Sequence, residues 1–137
     1  PLIENVETFS HFKPLTEEEI SFLQEMADLM EDYPTIPCTA CAYCMPCPYG
    51  IDIPTIFRHY NDAVNAGDIA QSHEQKDFQR LKRRYLVSYD RAVATVRQAD
   101  HCIGCGQCKS HCPQSIDIPR MLHRIDAYIE KLRRETL

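Results

Sequence analysis

The feature that most restricts this chain is a spacing. In "CTACAYCMPCPYG", residues 38 to 50, cysteine stands at every third position as Cys38, Cys41, Cys44 and Cys47, and prolines flank the last. Residues 102 to 113, "CIGCGQCKSHCP", do nearly the same with Cys102, Cys105, Cys108 and Cys112. Side-chain packing alone has no use for cysteine at that density, whereas a centre that draws several thiolates toward one point does. All eight cysteines of the 137 residues lie in these two blocks. A secreted disulfide framework spreads its cysteines through a loop-rich chain; here they are bunched beside helical sequence with no secretion signal, so that reading is weak.

The blocks head two copies of one unit. "CPYGIDIPTIFRHYNDAV" from Cys47 and "CPQSIDIPRMLHRIDAYI" from Cys112 are 65 residues apart with IDIP in register, while the first three cysteines of each block are 64 apart. One residue has therefore been gained before the last cysteine of the second copy. After each IDIP, Ile53, Ile56, Phe57, Tyr60 and Val64 answer to Ile118, Met121, Leu122, Ile125 and Ile129, the apolar stripe of an amphipathic helix. Pro54 and Pro119 suit a first helical turn, where a missing N–H costs nothing, and Gly67 is placed to end the first of these helices. Each copy predicts a cysteine loop followed by a helix.

The remainder also reads as helix, without strand alternation. Thr16 and Glu19 carry the signature of a capping box, with Leu15 and Ile20 as its hydrophobic staple, ahead of a helix reaching about Glu31. Phe78, Leu81, Tyr85, Tyr89, Val93 and Val96 predict a helix from about Gln75 to Gln98, with Ser88 and Asp90 as the positions where a break and a new cap fit. Residues 1 to 14 are less regular, and Pro34 and Pro37 lead the chain into the first cysteine loop. The expectation is an all-α fold. Residues 1–33 form a linker and capping helix, and residues 34–137 one helical domain, with repeats at 38–67 and 101–137 joined by helices over 68–100.

The second block is C-x2-C-x2-C-x3-C-P, the run that holds 4Fe-4S clusters in bacterial-type ferredoxins; the first shortens the last gap and keeps the proline. Three thiolates from one tight loop can cap three irons, and the fourth must come from elsewhere. The last cysteine of each block, turned away by its proline, is placed to reach the other cluster. The predicted ligands are Cys38, Cys41, Cys44 and Cys112 for one cluster, and Cys102, Cys105, Cys108 and Cys47 for the other. Gly104 and Gly106 let the second loop wind closely and aim backbone N–H groups at sulfur. Ala40 and Ala42 stand in their places in the first loop, where small residues suffice if no positive φ is required, and Met45-Pro46 suits a tight apolar gap. Two four-cysteine zinc sites are the competing reading. Zinc asks for two C-x2-C pairs, and explains neither three successive x2 steps nor a proline-marked fourth cysteine in both blocks. Two oxidised clusters would take the formal charge of -5 to about -9. Lys109, Arg58 and Arg120 are candidate moderating cations.

Other residues carry weaker signals. His101 and His111 flank cysteines and are able to donate to sulfur, though polar loop-end residues are the simpler reading. "RLKRR" at 80 to 84 fits either a docking patch for an acidic electron carrier or, more simply, the solvated face of a helix. Tyr43 and Tyr49 either shield a cluster or pack their loop. The acidic balance argues against nucleic-acid binding, no stretch approaches the ~18 apolar residues of a membrane span, and no signal segment opens the chain, so a soluble, cytoplasmic protein is expected. The sequence begins at Pro1 rather than methionine, which fits a piece of a longer protein or a processed product. There is no glycine-rich phosphate loop and no G-x-S-x-G. With every cysteine committed to metal, no catalytic residue is assigned, and this stretch alone is not expected to be an enzyme.

In "IPCTACAYCMPCPYGIDIP" and "ADHCIGCGQCKSHCPQSIDIP" the chain resembles the C-terminal iron-sulfur extension of bacterial and archaeal aldo/keto reductase-type oxidoreductases. "NVETFSHFKPLTEEEISFL" is similar to the stretch that joins the reductase barrel to that extension. More distantly, the chain resembles the α-helical ferredoxin modules of fumarate and heterodisulfide reductases. The resemblance implies an α-helical ferredoxin-like electron-transfer domain with two 4Fe-4S clusters. It also implies a covalently linked N-terminal (β/α)8 domain, outside this chain, that binds NADP(H). Because a nicotinamide passes hydride and a cluster passes single electrons, a one-electron carrier such as a ferredoxin or flavin protein is the expected partner. The alternative is a structural or partner-docking metal module, cluster or zinc, without redox turnover.

Overall fold

Five α-helices form, α1 (Leu2–Ser10), α2 (Glu17–Asp32), α3 (Ile53–Asn65), α4 (Phe78–Ala92) and α5 (Ile118–Arg134), in a computed structural model that describes residues 2–10 and 13–137. Three short 3-10 turns, Thr95–Arg97, Ala99–His101 and Lys109–His111, complete the regular structure, and no strand occurs among the described residues. The chain divides into two compact units, one ending at Pro34 and the other starting at Thr35.

In the first unit α2 begins at the expected capping box. Thr16 Oγ1 accepts from the Glu19 N–H at 3.3 Å, and Glu19 Oε2 accepts from the Thr16 N–H at 2.8 Å, which satisfies two orphan donors and holds the Glu19 carboxyl below the usual carboxylate range. The helix runs one residue beyond the expected end. The two residues of the anticipated staple, Leu15 and Ile20, each remain 54% exposed. α1 buries no residue.

In the second unit the IDIP repeat starts both principal helices, with the aspartate as cap. Asp52 accepts from the Thr55 N–H and Asp117 from the Arg120 N–H, each at 3.4 Å, and the proline falls in the first turn. The flanking isoleucines Ile51, Ile53, Ile116 and Ile118 are buried, so the motif seals the core where each helix begins. Gly67, at φ 69°, ends α3 as expected, and the Asp68 N–H reaches back to the Ala63 carbonyl at 2.8 Å. Of the predicted stripes, Ile53, Ile56, Phe57 and Tyr60 of α3 and Ile118, Leu122, Ile125 and Ile129 of α5 are buried, while Val64 and Met121 are half-buried; Ala63 and Leu132 complete the buried faces.

α4 runs antiparallel to α3, for His59 bonds Ser88 while Asp68 pairs with Arg84. It also runs antiparallel to α5, since Lys82, near its start, pairs with Glu135 just beyond the end of α5. The helix expected from about Gln75 to Gln98 is shorter, starting at Phe78 and stopping at Ala92, and Ser88 and Asp90 lie inside it. Val93 turns extended and buries its side chain, whereas Val96, expected on the same stripe, is 73% exposed. The reason is local. The Tyr89 hydroxyl takes the Ala99 N–H at 3.1 Å, and buried Gln98 folds back onto the Val93 carbonyl and Asp90, so the chain doubles over instead of continuing.

Tyr60, Tyr85, Tyr89 and Tyr128 bring four hydroxyls into this core, and three are bonded: Tyr89 to Ala99, Tyr128 to the Ala70 N–H at 2.9 Å, and Tyr60 to Arg124. The Tyr85 hydroxyl has no partner among the described residues although the residue is 1% exposed. The same chemical change should therefore have opposite effects. Tyr89→Phe leaves the Ala99 N–H buried and unpaired and should cost about 1–3 kcal/mol, while Tyr85→Phe should be neutral or stabilising by up to about 1 kcal/mol. Anaerobic denaturation midpoints of the two variants check this, and equal losses would contradict it.

Candidate metal centres

Each cysteine loop is wound by left-handed residues at matching places. Gly104 and Gly106 have φ of 75° and 76°, and Ala40 and Ala42, 64 positions earlier, have φ of 55° and 62°. The condition under which small residues suffice in the first loop, that no positive φ is required, is not met: the backbone takes positive φ, and the alanines adopt it at a cost. Matching turns follow, with the Met45 N–H on the Ala42 carbonyl at 2.9 Å and the Lys109 N–H on the Gly106 carbonyl at 3.0 Å. After the last cysteine of each block, the N–H of Gly50 reaches the Cys47 carbonyl and that of Ser115 the Cys112 carbonyl, a turn with proline at its second position. Gly50 and Ser115 both have positive φ, 75° and 53°. The residue gained by the second copy is absorbed in the turn Lys109–His111, opposite Met45-Pro46 of the first, whose peptide bond is cis.

Polar clamps fasten the loops to the helices. The Asn61 side chain on α3 accepts from the Ile36 N–H at 2.8 Å and donates to the Ile36 carbonyl at 2.7 Å, which fixes the backbone two residues before Cys38. Lys109 in the second loop pairs with Asp117, the cap of α5, at 2.9 Å. The Asp52 N–H bonds the Arg97 carbonyl at 3.0 Å, joining the start of α3 to the chain leading into Cys102.

Cys38, Cys41, Cys44 and Cys112 line one cavity, walled by Ile53, Phe57, Ile116 and Ile118. A second cavity is lined by Cys47, Cys105 and Cys108, together with Cys44, Tyr43, Met45, Pro46, Gln107 and His111. Cys102 does not line it, but lies near enough to Cys108 to act on its ionisation. The Ala40 N–H is directed at the Cys38 sulfur, 3.4 Å away. Burial, with the nearby Cys38, Cys41 and Cys112, pushes the Cys44 thiol up, against the pull of a backbone hydrogen bond. Burial likewise pushes Cys108 up to about 11, with Cys102, Cys105 and Cys44 adding to the effect. Desolvated thiolates crowded in this way oppose one another, and a cationic iron core bound among them offsets that repulsion. The donor set and apolar walls thus fit iron-sulfur clusters. Among the described residues no three His, Cys, Asp or Glu side chains converge on the position of a single metal ion.

A family model for the 4Fe-4S dicluster domain matches residues 37–116, more than half of the chain. The protein belongs to the 4Fe-4S dicluster family. The match spans both cysteine loops and the helices between them, so the dicluster domain binds iron-sulfur clusters and serves as an electron-transfer module. No curated protein and no solved structure matches the chain. No helix among the described residues is long and apolar enough to cross a membrane.

Other residues singled out in the sequence find different places in the dicluster domain. His101 faces the Thr95 carbonyl at 3.1 Å rather than a sulfur, while His111 lines the second cavity. Tyr43 lines that cavity with its side chain largely exposed. Lys109 is held by Asp117, and Arg58 and Arg120 are exposed. Asn61 and the capping aspartates Asp52 and Asp117 were not foreseen as parts of the site, although "D-I-P" before an apolar stripe, a cap ahead of a first-turn proline, carries the signal for the latter two.

A Cβ at Gly104 or Gly106 would meet no atom within 4 Å, so substitution there tests conformation alone. Gly106→Ala should destabilise the cluster-loaded domain by about 1 kcal/mol, and Ala42→Gly should stabilise it by roughly 0.5–1 kcal/mol. Anaerobic denaturant titration followed at the visible chromophore measures both, and shifts of the same sign would refute the shared left-handed design.

Proposed function

We propose that this dicluster domain relays single electrons between an external one-electron carrier and the active site of an oxidoreductase of the aldo/keto reductase kind. In this reading Cys38, Cys41, Cys44 and Cys112 hold one cluster, and Cys102, Cys105, Cys108 and Cys47 the other. The observation that carries it is Cys112, which lines the cavity of the first loop from the far end of the second. The meeting of Cys47 with Cys105 and Cys108 supports the reciprocal exchange. The reductase parentage rests on the resemblance of the two cysteine segments and of residues 5 to 23. A linked (β/α)8 domain would bind NADP(H), with a flavin or another one-electron partner between hydride and cluster.

A bound 4Fe-4S cluster supplies one-electron exchange at a potential set by its surroundings. The chain's own residues prepare those surroundings. Ile53, Phe57, Ile116 and Ile118 keep water from the first site. The Ala40 N–H steadies the Cys38 sulfur. Asn61 and the Asp52 and Asp117 caps hold the loop ends against α3 and α5.

A module whose metal only fixes the fold is the second reading, favoured by the direct seating of the cysteine cavity on the buried IDIP isoleucines. Anaerobic protein should contain about eight irons and eight sulfides per chain, with a broad absorption near ~400 nm that bleaches on reduction. Colourless protein with about two zincs, failing iron reconstitution, would establish the structural module instead. For the ligand exchange, Cys112→Ser should alter the same paramagnetic centre as Cys41→Ser, and Cys47→Ser the other. Loss of the Cys105→Ser centre in Cys112→Ser would sink it.

A further inference from the structure

The α4 helix buries Phe78, Leu81, Tyr85 and Tyr89, and its opposite face forms an open groove lined by Arg80, Arg83, Arg84, Val87 and Arg91. Among the described residues no carboxylate lines that groove. The only carboxylate on the helix, Asp90, is engaged by Gln98, and the only lysine, Lys82, is engaged by Glu135. Arg80 and Arg84 each have an ion-pair partner, Asp77 and Asp68, while Arg83 and Arg91 have none among the described residues. Val87, 41% exposed, sits amid the four arginines. An apolar centre rimmed by guanidinium forks is the anatomy of a recognition surface for carboxylates, and arginine suits that role better than lysine.

We propose that this arginine face of α4 is the docking surface for a small acidic one-electron carrier protein. The inference rests on the relay reading above. From Thr35 onward the chain carries 14 Lys and Arg against 11 Asp and Glu; with about two negative charges for each cluster the loaded unit is close to neutral, so attraction for an acidic partner is confined to the arginine face of α4. Each cluster with its thiolates adds about two negative charges at the cysteine end, which turns an acidic carrier toward α4. The antiparallel pairing of α3 and α4 brings the Arg91 end of the groove to the end where α3 begins and lines the first cysteine cavity.

The test uses the cluster-loaded chain with a flavodoxin, an acidic flavin protein, as probe. Binding is measured by calorimetry and electron transfer by anaerobic stopped flow, across a range of ionic strengths. In the Arg83→Glu/Arg91→Glu variant both association and transfer should fall ~10-fold or more at ~50 mM salt, and their salt dependence should flatten. Lys131→Glu, an exposed charge reversal on α5, should change them by no more than about twofold. Reduction by dithionite should be the same in all three proteins. Equal binding by the α4 variant and the control overturns the docking surface while leaving the relay intact. Failure of dithionite to reduce any of them overturns the relay, and the calorimetry still decides the docking. A salt-sensitive dimer in sedimentation, abolished by the α4 variant and accompanied by no flavodoxin binding, assigns the face to a second copy and overturns the proposal.

Discussion

Bringing Cys112 into the cavity of the first cysteine loop is the constraint on which the larger unit depends. Cys112 precedes α5 by a single turn, so placing it beside Cys38, Cys41 and Cys44 sets the start of α5 against the start of α3. The two helices of the repeat must then leave the cysteine end side by side. A chain that travels up α3 has to come back before it can build the second loop, and α4 is that return, antiparallel to both. The core follows from this arrangement: Phe57, Tyr85, Leu122 and their neighbours fill the space among three helices whose directions the cysteines have already chosen. Hydrophobic burial supplies the stabilising free energy, but it does not choose the topology.

The polar groups inside this core sort into two kinds. Those beside the cysteine loops are satisfied, as with Asn61 on Ile36, Tyr89 on Ala99 and Gln98 on Val93. Burial and bonding hold these turns in one conformation, and burial pushes the Tyr89 phenol up to about 12. Midway along α3 and α4 the accounting is looser. Ser88 gives its proton to the Tyr85 carbonyl, so His59 must donate to it through Nε2, and His59 Nδ1 is left a bare acceptor. Burial lowers the affinity of that ring for a second proton, which keeps it neutral between Tyr85 and Tyr89. Beyond the far end of α3 the groups are satisfied again, with the Ala70 N–H on the Tyr128 hydroxyl and buried Asp68 paired with Arg84.

Much of this was legible in the sequence because it repeats. Two copies of one pattern, offset by 64 and 65, mark the loops, the helix starts and the buried stripes, and an independent capping signature marks α2. What was not legible depended on contacts between distant residues. Nothing in the apolar period of 78 to 96 says that Tyr89 and Gln98 will fold the chain back after Ala92, because their partners lie beyond the helix. The left-handed alanines were hidden for the opposite reason. Glycine advertises positive φ and alanine conceals it, so the equivalence of Ala40 and Ala42 to Gly104 and Gly106 had to be taken from the register of the repeat and not from residue type. The aspartate caps were visible in principle, as an aspartate two residues ahead of a first-turn proline and an apolar stripe.

Repetition of the loops does not make the two sites equal. The first cavity is walled by isoleucines and Phe57 from both helices, while the second is bordered by Tyr43, Gln107 and His111, groups that water reaches. A negative charge added among aliphatic side chains is stabilised less than one added beside polar side chains and solvent. On the proposed ligation, an electron is harder to place in the first site than in the second, because its wall is mostly aliphatic, with Thr39 and Gln114 as its polar side chains. The extra residue of the second copy contributes to this difference. Accommodated as the turn Lys109–His111, it sets His111 at the second cavity, which Met45 and Pro46 of the first loop also line, so the last gaps of both loops border one site and leave the other to the isoleucines and Phe57.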